Sequence, residues 1–232
     1  MMKARKRLRS DKRRALILKA ATKMFAERHY RSTTLGHIAA EAGVSEALIC
    51  KHFATKKQLF LSTIDATGRY LNDELESLAA QEDKPPHDIL KEVFLFYFDY
   101  LNQERGIARM IFQVSSELDD KEVREALSTI LQRACGIIRR TLEVGQSKGI
   151  VRKDIDIEAG TWLIVGCYQV LALMKQVDRE HAMNETTLAG FIAPLLEPLY
   201  ARQILRGSGP GPTAIGDALR LPHSRVNHGV EQ

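Results

Sequence analysis

The chain has 232 residues, 44% apolar and 27% charged, with a formal net charge of +5. That is enough apolar material for a substantial core in one or two domains, and the balance is that of a water-soluble globular protein rather than a membrane span. Three widely spaced cysteines, Cys50, Cys135 and Cys167, form no Cys-x-x-Cys or Cys/His pattern, which argues against a secreted disulfide framework or a zinc site and for a reducing compartment.

The charge is unevenly placed. Residues 1–57 hold 15 Lys or Arg against 4 Asp or Glu, a net of +11, so the remaining 175 residues carry −6. A basic head on an acidic body is the electrostatic footprint expected of a protein that presents one end to a polyanion.

In chain order, Met1 to Arg9 is rich in Lys and Arg, but Asp11 to Arg14 stay charged where a signal peptide would turn apolar. Residues 1–9 therefore read as a flexible basic arm, and the protein as cytoplasmic. Residues 10–54 read as a helix-turn-helix DNA-binding domain. Thr33 or Thr34 caps a helix whose apolar positions Leu35, Ile38, Ala39 and Ala42 recur on one face. Gly43 supplies the left-handed conformation at its end, Val44 plugs back into the core, and Ser45 caps a second short helix running to about Lys51. Two short helices joined by a tight turn containing Gly form the unit that lays its second helix in the major groove of a double-stranded operator.

Residues 55–206 read as a helical body. Thr55 caps a long helix through Leu59, Phe60, Ile64 and Leu71 toward Ala80, and Pro85-Pro86 forces a break. Helices follow over 87–103, 104–114 and 119–148, the last stopped by Gly149. A polar linker from Arg152 to Asp156 precedes two strongly apolar helices over 157–176 and 185–205, and Pro194 and Pro198 predict a kink near residues 190–194. No strand-period alternation runs for any useful length. The fold class is all-α, with about nine helices: a three-helix head on a larger body. Residues 207–232 contain five Gly and three Pro and read as a disordered tail.

Residues 12–60 resemble the DNA-binding domain of the TetR/AcrR family of bacterial transcription regulators. Ile17, Ala20, Ala21 and Phe25 match the first helix, Tyr30, Thr33 and Thr34 the approach to the second, and Ile38, Ala39, Ala42, Gly43, Val44 and Ser45 its helix and turn. His52, Phe53, Lys56 and Leu59 match the exit into the fourth helix. Three positions depart from the family pattern. His29 stands where the family has Gly and must take a left-handed conformation at some strain. Ala47 replaces a Gly inside the recognition helix, and Cys50 replaces a tyrosine that touches phosphate.

The resemblance implies a dimeric transcription regulator, a repressor released from its operator by a small, mostly apolar inducer. The expected DNA-binding residues are Thr33, Thr34, Ser45, Glu46, Ala47, Leu48, Cys50, Lys51, His52 and Lys56. Glu46 is expected to accept from a cytosine amino group and Ala47 or Leu48 to meet a thymine methyl, while Lys51, His52 and Lys56 grip the backbone. Both sides of the 157–176 helix are apolar, so one face packs on the body and the other on a second copy of the chain. Leu163, Gly166, Val170, Leu188, Phe191, Ile192, Leu195 and Leu199 are the expected dimer interface. Phe94, Tyr97, Phe98, Arg109, Met110, Phe112, Trp162 and Tyr168 point from several helices and are expected to line the inducer site, although aromatic residues at helical spacing equally serve simple core packing. The seven His form no His-x-x-x-His or Glu-x-x-His pattern, and neither a phosphate-cradling Gly loop nor a nucleophile elbow is present. The chain is therefore expected not to be an enzyme and to need no metal or cofactor. The competing reading is a helical ligand-binding or interaction protein that has lost specific DNA binding, for which Cys50 is the best argument.

Overall fold

The computed structural model describes residues 2–81, 84, 86–103, 107–177, 190 and 199. These hold eight helices and no strand: α1 Met2–Arg28, α2 Leu35–Ala42, α3 Glu46–His52, α4 Lys56–Ala79, α5 Pro86–Gln103, α6 Ile107–Ser116, α7 Lys121–Ser147 and α8 Ile157–Gln176. The basic residues expected as a free arm instead continue α1 to Met2. Neither Gly nor Pro interrupts residues 2–28, and Lys, Arg, Leu and Ala are good helix formers. The expected 185–205 helix, its kink, and the 207–232 tail lie outside the described residues, apart from Gly190 and Leu199.

The helix ends follow local chemistry. Side-chain oxygens of Thr34, Ser45, Thr55, Asp120 and Asp156 accept backbone N–H groups at the starts of α2, α3, α4, α7 and α8, meeting donors that the first helical turn leaves unpaired. Gly43 adopts φ 63° at the end of α2, and its neighbour Val44 donates to Ala39 O at 3.0 Å.

Two apolar clusters organise the molecule. The head cluster is built on Ile17, Phe25, Ile38, Ile49, Phe53 and Phe60, and it also takes in Met110, Val114 and Val123 from α6 and α7. The head core therefore runs into the body without a polar gap. The body cluster is built from Leu90, Phe94, Leu101, Ile137, Ile138, Leu142, Ile164 and Leu171. Helix α4 spans both, and its distal half lies so close to α7 that a Cβ on Gly68 would fall 2.3 Å from Ile130 Cδ1. Asn72 Nδ2 donates to Ile130 O at 3.1 Å on the same contact.

Helix α8 is long and apolar enough to cross a membrane by composition alone. One side of it, however, is Thr161, Ile164, Val165, Cys167, Leu171 and Ala172, all buried in the body.

Candidate nucleic-acid interface

Helices α2 and α3 hold the geometry that the sequence anticipates. Thr34 and His37 cap α2 reciprocally: His37 N donates to Thr34 Oγ1 at 3.2 Å, and Thr34 N donates to His37 Nδ1 at 3.3 Å. The sequence signals only the hydroxyl half of this box, because His37 stands where a capping box usually has Glu or Gln. Ser45 Oγ accepts from Leu48 N at 3.2 Å. Ile49 is fully buried and fixes the rotation of α3 about its axis. That rotation leaves Ser45, Glu46, Ala47, Cys50 and Lys51 exposed, with Leu48 and His52 half-buried. The outward face of α3 thus carries most of the expected contact residues together. The Glu46 carboxylate folds back over α2, and a Cβ on Gly36 would lie 2.9 Å from its Oε1. Beside this face, Lys12, Arg13 and Arg14 are exposed on α1, and the Arg14 guanidinium sits 4.9 Å over the Phe53 ring.

Two expected DNA contacts are committed elsewhere. Thr33 is fully buried, and its hydroxyl donates to backbone oxygens of His29 at 2.7 Å and Met24 at 3.2 Å. It closes the turn after α1 and does not reach the surface. Lys56 points inward along the head. Its ammonium donates to the carbonyls of Tyr30 at 2.9 Å, Thr33 at 3.0 Å and Arg31 at 3.3 Å, and lies 4.6 Å from the centre of the Tyr30 ring. Those bonds occupy the ammonium's three donors, so the phosphate role read from its place at a helix start is replaced by a structural one. The turn it holds includes His29 at φ 66°, the strained position that the departure from Gly implies.

The same turn is tied to the body. Tyr30 N donates to Gln113 Oε1 at 3.1 Å, and Arg31 meets both carboxylate oxygens of Glu117, at 2.9 and 3.2 Å. Lys57 pairs with Asp120 at 2.7 Å and Glu122 at 2.9 Å. These carboxylates, Asp120 first, raise the Lys57 ammonium to about 12, and the hydrogen bond from Lys57 holds the Asp120 carboxyl below its usual range. Tyr30 and Arg31 with Gln113 and Glu117 form a head–body seam, and Lys57 with Asp120 and Glu122 ties α4 to α7 beside it; no periodicity in the sequence signals either.

The expected inducer residues divide. Phe94 and Tyr97 on α5 meet Tyr168 of α8 with ring centroids 4.9 and 5.0 Å apart, and Phe98 is buried in the same cluster. The Tyr168 hydroxyl is enclosed with no hydrogen-bond partner among the described residues, and burial pushes both Tyr97 and Tyr168 upward in pKa. Phe112 packs partly buried against this cluster. Met110 does not join it, being buried in the head cluster. Trp162 is 53% exposed and donates to Glu158 on its own helix at 3.0 Å. Arg109 is also on the surface, at a groove between head and body.

Of the expected dimer residues, Leu163, Gly166 and Val170 form an exposed stripe along α8, continued by Leu173 and Val177. Leu199 is instead buried in the protomer's own core, where its carbonyl accepts from Arg152 N at 2.9 Å and its side chain faces Gly160. Leu188, Phe191, Ile192 and Leu195 lie outside the described residues.

Comparison with known proteins agrees with this arrangement. Residues 17–63 match the profile of the family described as "Bacterial regulatory proteins, tetR family". The HTH-type transcriptional repressor NicS of Pseudomonas putida is 26% identical over 79% of this chain and 82% of its own length. Among solved structures, a transcriptional regulator from Saccharomonospora viridis in complex with choline superposes with a TM-score of 0.73 at 20% identity, covering 83% of this chain and all of that one. FadR from Bacillus subtilis in complex with stearoyl-CoA gives 0.68 at 20% identity, over 81% and 97%. With a helix-turn-helix of this geometry, residues 17–63 are a DNA-binding domain of the TetR family of transcription regulators, carried on a helical body of the same fold.

Proposed function

We propose that the protein is a cytoplasmic homodimeric repressor whose head, residues 10–54, binds an operator half-site and whose body, residues 55–206, dimerises and binds a small, mostly apolar inducer. The observation that carries the DNA reading is the outward face of α3, where Ser45, Glu46, Ala47, Cys50 and Lys51 are exposed around the buried anchor Ile49. Glu46 and Ala47 lie early in the helix, where side chains reach base edges, and Lys51 with the basic start of α1 supplies phosphate contacts. Thr34 and Ser45 set the helix starts and offer hydroxyls near the backbone.

The exposed apolar stripe of α8 supports the dimer, because Leu163, Val170 and Leu173 gain little from facing water and a two-fold partner gives the two reading helices needed for a palindromic site. The enclosed Tyr168 hydroxyl among Phe94 and Tyr97 supports an inducer that is mostly apolar and carries one polar group. The two solved neighbours hold chemically unlike ligands, choline and stearoyl-CoA, so it is this chain's own lining that argues for the ligand class.

Selection of bound sequences from a random duplex library tests the DNA reading. The expected product is a palindrome with half-sites one helical turn apart, and Glu46→Gln is expected to change base preference at one symmetric pair of positions. Selection that yields no enriched sequence, with binding equal on all duplexes, favours the rival reading of a ligand-binding protein without a specific operator.

A further inference from the structure

Where head meets body, α1, α4, α5 and α6 leave an open groove of about 830 Å³, within the range of small-molecule sites. Leu16 and Ala20 contribute from α1, Tyr70 from α4, Tyr100 from α5, and Ile107 and Arg109 from α6. Leu16 is 48% and Tyr70 45% exposed, large apolar surfaces left facing water. The Tyr70 and Tyr100 rings lie 5.3 Å apart and tilted, with Phe96 packed against both, so they form a supported aromatic wall.

Arg109 is the second observation. Every other arginine described in the body is bound by the protein itself: Arg69 by Asp65, Arg124 by the Leu118 carbonyl, Arg133 by Asp73 and Glu76, Arg139 by Glu158, Arg140 by Glu76, and Arg152 by Asp154. Arg109 has no ion-pair or hydrogen-bond partner among the described residues. Of the carboxylates at the groove, Glu41 is already paired with Lys23 at 2.7 Å, which leaves Lys19 and Arg109 against Glu27 alone. A guanidinium fork beside an aromatic wall matches a planar carboxylate on an aromatic ring, because the fork binds the carboxylate through two parallel hydrogen bonds while the ring packs on tyrosine.

We propose that this groove is a second ligand site, separate from the aromatic cluster around Tyr168, that binds small aromatic carboxylates with Arg109 as the carboxylate anchor and Tyr70 as the ring contact. A ligand seated there touches α1 of the head together with α4 and α6.

The test is titration of the full-length protein, without DNA, with 2-naphthoate by isothermal calorimetry. The site predicts saturable binding that weakens at least tenfold in Arg109→Gln and in Tyr70→Ser, and at least tenfold when 2-naphthamide replaces the acid. Both side chains are at the surface, and circular dichroism with an unchanged melting curve verifies that the variants fold. Undiminished 2-naphthoate binding in Arg109→Gln, equal affinity for the amide, or no binding at millimolar ligand overturns the proposal. None of these outcomes bears on operator binding, which the library selection reads separately.

Discussion

The head and the body are both helical, but different physics places their helices. In the head, a capping hydroxyl or a left-handed Gly stands at nearly every boundary, so Thr34, Gly43, Ser45 and Thr55 fix where α2, α3 and α4 begin or end within a few residues of themselves. In the body, Asp120 and Asp156 cap α7 and α8, yet which helix lies against which is decided by contacts far apart in sequence, such as Gly68 with Ile130 and Phe94 with Tyr168. Local rules write boundaries, and long-range packing writes arrangement. The two regions are nevertheless joined, because Met110, Val114 and Val123 of the body complete the head core.

The strongest way to break that contrast is to remove the long-range anchor of the most locally specified helix. Ile49 is fully buried, and Ile49→Ala is expected to cost about 2–5 kcal/mol, read as a lower urea midpoint with an unchanged slope. A loss under about 1 kcal/mol would mean that caps alone hold α3. Gly68→Ala probes the body in the opposite sense. The added Cβ meets the Ile130 side chain at 2.3 Å, and such overpacking is expected to cost roughly 1–3 kcal/mol. Ile130→Ala, destabilising alone, should cost less in the Gly68→Ala background, and additive losses would show that the two helices separate rather than repack.

This difference also sets what the sequence reveals. The α8 boundaries and the exposed face of α3 are legible because caps, Gly43 and a 3.6-residue period act locally. The direction of a long side chain is not. Lys56 looks like a phosphate contact at a helix start until the turn over residues 29–33 is folded beneath it, and Arg109 and Met110, adjacent in sequence, end on the surface and in the head core. Trp162 faces water and Tyr168 faces inward, although aromatic character alone assigns both to one site. Leu199 shares the apolar spacing of an interface residue and is spent on the protomer's own core.

Lys56 and Lys51 sharpen the comparison, since both are cations expected to meet DNA and only Lys51 is exposed. Lys56→Met removes three bonds to carbonyls and is expected to cost roughly 1–2 kcal/mol of stability while leaving the salt dependence of DNA binding unchanged. Lys51→Ala is expected to leave the urea midpoint alone and to lower the magnitude of the salt slope by about one unit. A reduced slope in Lys56→Met would restore a phosphate contact to that residue.

The smallest effect is expected where α4 meets α7. Asp120 does two things: it caps α7 by accepting from Glu122 N at 2.9 Å and Val123 N at 3.3 Å, and it pairs with Lys57 of α4 at 2.7 Å. Asn caps about as well as Asp, so Asp120→Asn removes the charge pair and keeps the helix start. The pair is solvent-screened, and the urea midpoint should move only slightly at low salt and not measurably at high salt. Its pH window follows from the two shifts. The lowered Asp120 carboxyl contributes above its unfolded value of about 3.9, and that contribution is lost as pH falls through the lower folded value. The raised Lys57 ammonium keeps the pair charged until pH passes about 12. Wild type and Asp120→Asn should therefore differ at neutral pH and converge in acid. If the two proteins instead differ equally at every pH and salt concentration, the α7 cap rather than the Lys57 pair is what Asp120 contributes.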